Sequence, residues 1–126
     1  MFDARNSNKP LVRVIDDDDA MRNSWSFIIE GEGWDVATYP DALTFLSMGN
    51  WQRPGCILLD VRMPHMSGLE LQFKLREIGC DLPIIFISGH GDIDMAVHTL
   101  KHGAMDFLTK PVSDNGLGYG VNISLN

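Results

Sequence analysis

The segment CILLD at residues 56–60 decides the fold, because a short unbroken apolar run is typical of a strand buried on both faces. Working outward from it, residues 11–15 and 82–88 form two further short runs of mainly apolar residues, the first followed by four aspartates. Residues 34–39 and 105–109 are two more strand candidates. The sequence therefore predicts five strands.

Helical periodicity lies between these strands. A helix is predicted wherever apolar residues recur three or four apart, and glycines or a proline–aspartate pair mark the boundaries. The residues that carry this pattern are Met21, Trp25 and Ile28 before Gly31 and Gly33; Ala42, Phe45 and Leu46 after Pro40-Asp41; Leu71, Leu75 and Ile78 before Gly79; and Ala96 and Leu100, between a capping Asp92 and Gly103. The alternation predicts an α/β fold, a doubly wound, flavodoxin-like five-stranded parallel sheet in the order 2-1-3-4-5.

Composition restricts the class of protein. A chain of 126 residues with 44% apolar side chains suits one packed domain. A net charge of −7 argues against a nucleic-acid-binding surface. No apolar run approaches the roughly 20 residues of a membrane span, and MFDARNSNKP has no signal-like apolar stretch. Cys56 and Cys80 fit no metal or redox spacing, so we expect a cytoplasmic protein with reduced thiols.

Polar residues fall at the carboxyl ends of the predicted strands, where open parallel sheets bind ligands. Asp16 and Asp17 follow the first strand, Asp60 ends the third, Ser88 the fourth, and Lys110 follows the fifth. Three converging carboxylates repel one another and favour a bound cation, for which Mg²⁺ is the best candidate. An aspartate beside Mg²⁺ can act as nucleophile toward a phosphoryl group. The residues alone thus indicate a Mg²⁺-dependent phosphoryl acceptor.

Each of these signals also has an ordinary explanation. A run such as residues 16–19 is usually a solvated loop or the start of a helix, and Asp18 or Asp19 could serve only as a cap. Ser88 and Lys110 would each be unremarkable alone. What favours a site is the joint placement, at four strand ends, of Asp16, Asp17, Asp60, Ser88 and Lys110.

Four motifs together resemble the receiver domain of two-component response regulators, the CheY-like family. They are VRVIDDDDAMR, CILLDVRMPHMSGLEL, IIFISGHGD and AMDFLTKP, in the family's order and spacing. The resemblance covers about residues 10–111. The SGHGD turn and the run ending in FLTKP are similar to the FixJ-type subset, whose members often carry a DNA-binding output domain.

The resemblance implies a role for each site residue. Asp60 would be the phosphoacceptor, and Asp16 and Asp17 the acidic pair that binds Mg²⁺ together with Asp60 and the backbone carbonyl of Arg62. Lys110 would pair with the phosphoryl oxygens, and the Lys110–Pro111 peptide would be cis. Ser88 would be the switch hydroxyl that hydrogen-bonds the phosphoryl group, and Phe107 the aromatic side chain that turns inward when Ser88 moves. Pro64 would shape the loop after Asp60, and Gly68 would end it. Arg62 and His90 would either tune the lifetime of the phosphoryl group or be ordinary exposed loop residues.

The implied mechanism is a population shift in two-component signal transduction. A sensor histidine kinase would phosphorylate Asp60, and the added charge would favour an active conformation. The output would be transcriptional, through a C-terminal DNA-binding domain outside this chain, with dimerisation on phosphorylation as a further expectation. This domain itself would bind neither nucleic acid nor membrane, and would not be a dedicated enzyme although self-dephosphorylation is compatible with it.

The sequence departs from the family after Pro111. Residues 112–126 read VSDNGLGYGVNISLN, where Gly116, Gly118 and Gly120 each cost a helix about 1 kcal/mol. We expect the family's fifth helix to be absent or irregular. The predicted organisation is a flexible segment at 1–9, a receiver domain at 10–111 and an atypical tail at 112–126.

Other functions compatible with the sequence differ in how phosphorylation would be used. The chain could be a complete single-domain regulator, or a receiver that no longer switches and serves as a protein-interaction module. An aspartyl-phosphate phosphatase would need a general acid two residues after the nucleophile, and Arg62 stands there and cannot donate a proton at neutral pH.

Overall fold

The computed structural model describes residues 9–49, 52–88, 101 and 106–109. Its elements in chain order are β1 (Leu11–Ile15), α1 (Asp19–Gly31), β2 (Asp35–Tyr39), α2 (Ala42–Met48), β3 (Gly55–Asp60), α3 (Gly68–Glu77), β4 (Ile84–Ser88) and β5 (Asp106–Thr109). The strands form one parallel sheet in the order β2-β1-β3-β4-β5. The predicted fold class and strand order are confirmed.

Apolar side chains alternate between the two faces of this sheet and build two core clusters. On one face, β1, β3 and β4 pack against Trp25 and Ile29 of α1. On the other face, the same strands pack against Phe45 of α2 and against Leu71 and Leu75 of α3. Helices therefore cover both faces, as continuous apolar strands require.

The two cysteines lie in opposite clusters. Cys56 belongs to the cluster beneath α1 and Cys80 to the cluster beneath α2 and α3. Both are buried, and neither forms a disulfide.

Short polar side chains begin each of the helices α1, α2 and α3. The Asp18 carboxylate accepts the Met21 N–H at 3.2 Å before α1. The Asp41 carboxylate accepts the Thr44 N–H at 2.7 Å before α2, and that bond lowers the pKa of Asp41 below its ordinary value. Ser67 forms a reciprocal capping box with Glu70 before α3. These caps fix where each helix starts after its strand.

Gly55, at the start of β3, permits a close approach between two strands. Its φ is +145°, and a Cβ atom there would collide with the backbone of Leu11 in β1. Only glycine has both the conformation and the space for this position. The packing of β3 against β1, which brings the acidic residues together, depends on it.

Some sequence predictions differ from the structure or lie outside it. Ile78, placed on a helical apolar pattern, is the C-cap of α3 and is 53% exposed. Lys101 is helical, as predicted. Other predictions fall outside the described residues, namely the rest of the fourth helix, the cis peptide before Pro111, the flexible segment apart from Lys9, and the tail at 112–126. Across the described ranges, no helix has the length and apolar character needed to cross a membrane.

Candidate acidic site at the carboxyl end of the sheet

The three predicted acidic residues lie together. β1 and β3 are parallel neighbours with Ile15 beside Leu59, so the residues that come after each of these lie side by side. Asp16, Asp17 and Asp60 each offer a carboxylate oxygen, and these oxygens lie within 4.8 Å of one another. Strand register therefore accounts for the adjacency of Asp16 and Asp60.

The members of the cluster differ in exposure. Asp16 is completely buried, and Asp60 is only 5% exposed. Asp17 is exposed and lies on the solvent side. Bringing negative groups out of water and close together is unfavourable unless hydrogen bonds or a cation stabilise them.

Backbone donors stabilise the two buried carboxylates. The Asp18 N–H donates to Asp16 Oδ1 at 2.8 Å, and the Arg62 N–H donates to Asp60 Oδ1 at 3.3 Å. The Asp16 N–H itself donates to the Tyr39 carbonyl at 3.2 Å. These bonds hold Asp16 and Asp60 at the ends of their strands.

The run of four aspartates divides into two functions. Asp16 and Asp17 join the acidic cluster, whereas Asp18 caps α1 and Asp19 pairs with Arg22 one turn later. The expectation that Asp18 or Asp19 could be only a cap is confirmed for Asp18.

The loop after Asp60 is closely packed against the strand it leaves. The Gly68 N–H donates to the Val61 carbonyl at 2.8 Å, and a Cβ atom at Gly68 would collide with the Asp60 carbonyl. His65 takes a φ of +70°, which is uncommon for a residue other than glycine. Gly68 thus brings the start of α3 up against Asp60, consistent with its predicted place at the end of this loop.

A surface pocket of about 480 Å³ opens beside the cluster. It is lined by Asp17, by residues 61–64 and by Ser67 and Leu69. The pocket gives a small molecule or a side chain from another protein access from the solvent to Asp17 and to the loop that follows Asp60.

The remaining predicted site residues are described in part or not at all. Ser88 ends β4 and lies beside Thr109 of β5, and Phe107 lies beside Phe86, which fixes their backbone positions only. Arg62 follows Asp60 in the loop, and its side chain is exposed. Lys110 and His90 lie outside the described residues, so their roles stay predictions.

Sequence reasoning missed Arg22. Its guanidinium donates to the Asp16 carbonyl at 2.6 Å and also pairs with Asp19. The spacing of Asp19 and Arg22, three apart on a helix, favours an ion pair and could have indicated the second contact. Nothing in the sequence pattern indicates the first.

Comparison with known proteins gives a consistent result. The model of the response regulator receiver domain family matches residues 12–120. The chain is 46% identical over 112 residues to the response regulator protein TmoT of Ectopseudomonas mendocina, covering 89% of this chain and 51% of TmoT. It is 46% identical over 114 residues to the transcriptional regulatory protein FixJ of Azorhizobium caulinodans, covering 90% of this chain and 54% of FixJ. The chain thus spans about half the length of the curated relatives it matches.

Solved structures show the same similarity. The response regulator StyR superimposes with a TM-score of 0.87 at 42% identity, covering 93% of this chain and 59% of StyR. The structure described as FixJ-N gives a TM-score of 0.85 at 35% identity, covering 93% of this chain and 94% of that one. The family match extends beyond Pro111, where the predicted domain ends, and the division into domain and tail stays a prediction.

Proposed function

The chain belongs to the response regulator receiver domain family, and we propose that it accepts a phosphoryl group on Asp60 in a Mg²⁺-dependent reaction. The observation that carries this proposal is the cluster of Asp16, Asp17 and Asp60, whose carboxylate oxygens lie within 4.8 Å of one another. Receivers of this family act as phosphorylation switches in response regulators.

The donor set suits Mg²⁺. Hard oxygen ligands from a small number of carboxylates are what this ion takes from proteins, and it keeps positions for water or phosphate oxygens. Asp16, Asp17 and Asp60 would hold it, with the Arg62 carbonyl as the remaining ligand that the family resemblance implies. When bound, it would offset the repulsion among the carboxylates and attract the oxygens of the incoming phosphoryl group.

The family resemblance and the position in the sheet favour Asp60 as the phosphoacceptor. Asp16 is completely buried, whereas Asp60 is 5% exposed. Asp60 stands at the end of the central strand β3, and the loop that lines the pocket begins at the next residue. In the reaction, an Asp60 oxygen forms a bond to phosphorus while the bond between phosphorus and the donor nitrogen of a phosphohistidine breaks. The imidazole then leaves as a neutral group after taking up a proton.

Phosphorylation would act on the neighbouring strands. Ser88 and Lys110 would move toward the new oxygens, and Phe107 would fill the space that Ser88 leaves. The backbone positions of Ser88 and Phe107 on β4 and β5 support this proposal, since both strands lie on the same side of β3. An active conformation favoured by a few kcal/mol is enough to shift the population.

The partners are inferred from the family and from the relatives' length. The donor would be a sensor histidine kinase in the cytoplasm. The output would be transcription, through a DNA-binding domain corresponding to the part of the relatives that this chain does not cover. The domain would have no dedicated enzymatic activity beyond accepting and slowly losing its phosphoryl group.

Incubation with acetyl phosphate tests the proposed chemistry. Intact mass spectrometry should show one phosphoryl adduct that requires Mg²⁺ and is lost in Asp60→Asn. The matched control is Asp81→Asn, since Asp81 is an exposed aspartate at the opposite end of the sheet. An adduct that persists in Asp60→Asn, or that forms equally well in EDTA, would contradict the proposal.

A further inference from the structure

Arg22 reaches from α1 back to the loop that carries the acidic pair. One guanidinium nitrogen, Nη1, donates to the Asp16 carbonyl at 2.6 Å. The other, Nη2, pairs with the carboxylate of Asp19. The Arg22 side chain is only 14% exposed. Its two donors thus connect the start of the helix to the peptide after β1.

That peptide determines where Asp17 lies. The Asp16 carbonyl belongs to the peptide group joining Asp16 to Asp17, and the N–H of Asp16 is already held by the Tyr39 carbonyl at 3.2 Å. Fixing the carbonyl as well fixes the plane of the next peptide. Asp17 is exposed, so little surrounding packing restrains its carboxylate.

We propose that Arg22 is a positioning residue for the cation site. Its two guanidinium contacts fix the orientation of the peptide group between Asp16 and Asp17, so that the Asp17 carboxylate stays close to those of Asp16 and Asp60. This inference rests on the proposed function, in which these three carboxylates hold Mg²⁺. A lysine could not reproduce it, because a single ammonium replaces two separated planar donors.

If Arg22 positions Asp17, removing it weakens Mg²⁺ binding, whereas if Arg22 acts only through its positive charge, removing it strengthens Mg²⁺ binding. A positive side chain close to a cation site repels the cation, so its removal alone should tighten Mg²⁺ binding by about two-fold. Loss of a group that orients metal ligands instead weakens binding, commonly by about 10-fold or more. The sign of the change therefore separates the two effects.

Isothermal titration with Mg²⁺ of protein freed of metal by EDTA measures this sign. Compared with the unaltered protein, the Kd should rise about 10-fold in Arg22→Met and about three-fold in Arg22→Lys. Arg76→Met is the matched control, because Arg76 donates in the same way to the carbonyls of Cys80 and Leu82, at 2.7 and 3.2 Å, away from the site. Its Kd should stay within about two-fold of the unaltered protein, whatever its stability.

The phosphorylation rate with acetyl phosphate gives a second readout. Arg22→Met should be slow at low Mg²⁺ and return to within about two-fold of the unaltered rate at saturating Mg²⁺. A general loss of structure would lower the rate at every Mg²⁺ concentration, as would a direct role in the chemistry. A rate that does not recover would therefore overturn the inference.

The outcomes distinguish this inference from the function on which it rests. If the unaltered protein binds no Mg²⁺, the proposed function fails and the inference fails with it. If the unaltered protein binds Mg²⁺ and Arg22→Met binds it equally or more tightly, only the role of Arg22 is overturned. Should circular dichroism show that Arg22→Met is unfolded, Arg22→Lys decides, and a Kd within about two-fold of the unaltered value overturns the inference.

Discussion

The amino and carboxyl ends of this sheet both carry buried charge, but they stabilise it differently. At the amino end, the Arg13 guanidinium is completely buried and donates to the carbonyls of Leu11 at 2.9 Å and Arg53 at 2.7 Å. Arg53 in turn pairs with Asp35 at 2.9 Å.

At the carboxyl end, charges of one sign lie together, where Asp16, Asp17 and Asp60 form the acidic cluster. Cations at the amino end meet acceptors from the chain itself, whereas the acidic cluster is the place where we propose that Mg²⁺ binds.

This difference separates a structural role from a functional one. Burial lowers the pKa of Arg13, because desolvation disfavours the charged guanidinium, yet arginine stays protonated at physiological pH. Its hydrogen bonds tie β1 to the segment before β3. Removing charge should therefore destabilise the protein at the amino end and stabilise it at the carboxyl end when Mg²⁺ is absent.

The largest expected effect is at Arg13. Arg13→Ala should lower the free energy of unfolding by about 4 kcal/mol, because it leaves a cavity and deprives two carbonyls of their donor. Urea denaturation measures the loss, with Lys74→Ala, at an exposed lysine of α3, as the control expected to change stability by less than about 0.5 kcal/mol. A loss below about 1 kcal/mol for Arg13→Ala would show that the buried cation is not what holds this end together.

Gly55 tests the backbone contact at the same end of the sheet. Gly55→Ala should cost about 3 kcal/mol, since its Cβ would collide with the Leu11 backbone at a φ of +145°. Gly79→Ala separates collision from strain, because Gly79 has a φ of +85° but nothing within 4 Å of an added Cβ. That variant should lose only about 1 kcal/mol. Equal losses in thermal denaturation would mean that the close approach of β1 and β3 contributes nothing.

Substitution of Asp60 tests the carboxyl end of the sheet, where the expected effect on the free energy of unfolding has the opposite sign. In EDTA, Asp60→Asn should raise the free energy of unfolding by about 1 kcal/mol, since it removes one of three mutually repelling carboxylates. Added Mg²⁺ should reduce or reverse this advantage by stabilising the unaltered protein. Thermal denaturation with and without Mg²⁺ measures both, and Asp81→Asn is the control. Destabilisation in EDTA would show that repulsion at the cluster is already fully offset by hydrogen bonds.

The smallest expected effect is at the Asp35–Arg53 pair. The hydrogen bond from Arg53 lowers the pKa of Asp35 below its ordinary value of 3.8, and Lys9 contributes further. A lowered pKa stabilises the folded state above pH 3.8, and this contribution is lost as the pH falls through the folded value. Because the Asp35 side chain is 41% exposed, Asp35→Asn should cost only about 0.5 kcal/mol at pH 7.

The difference between Asp35→Asn and the unaltered protein should therefore disappear in strong acid. Urea denaturation at a series of pH values measures it, and added salt should also reduce it. A difference that grows as the pH falls would contradict the assigned direction of the pKa shift.

The sequence was sufficient to predict the sheet and the acidic cluster. The sheet follows from the spacing of apolar residues, and the cluster follows from the positions of aspartates directly after strands. Apolar runs identified the strands, and the position of a residue after a parallel strand determines the end of the sheet at which it lies. Asp16, Asp17 and Asp60 could be placed together on that basis alone. The helix starts were also indicated by Asp18 and Asp41, which have the residue type that caps prefer.

The parts that the sequence did not reveal depend on contacts between distant backbone atoms. Arg13 sits within a run of apolar residues, and nothing in that pattern shows that carbonyls of Leu11 and Arg53 would receive its guanidinium. The contact of Arg22 with the Asp16 carbonyl is of the same kind. Such carbonyls carry no side-chain signature, so only the folded geometry identifies them.

The most direct test of the central claim is to locate the phosphoryl group chemically. Borohydride reduction converts an aspartyl phosphate to homoserine, which tandem mass spectrometry of peptides can assign to one position. After incubation with acetyl phosphate and Mg²⁺, we expect homoserine at position 60 alone, and none when EDTA replaces Mg²⁺. Homoserine at position 16 or 17, or no homoserine in a folded and Mg²⁺-loaded protein, would contradict the account.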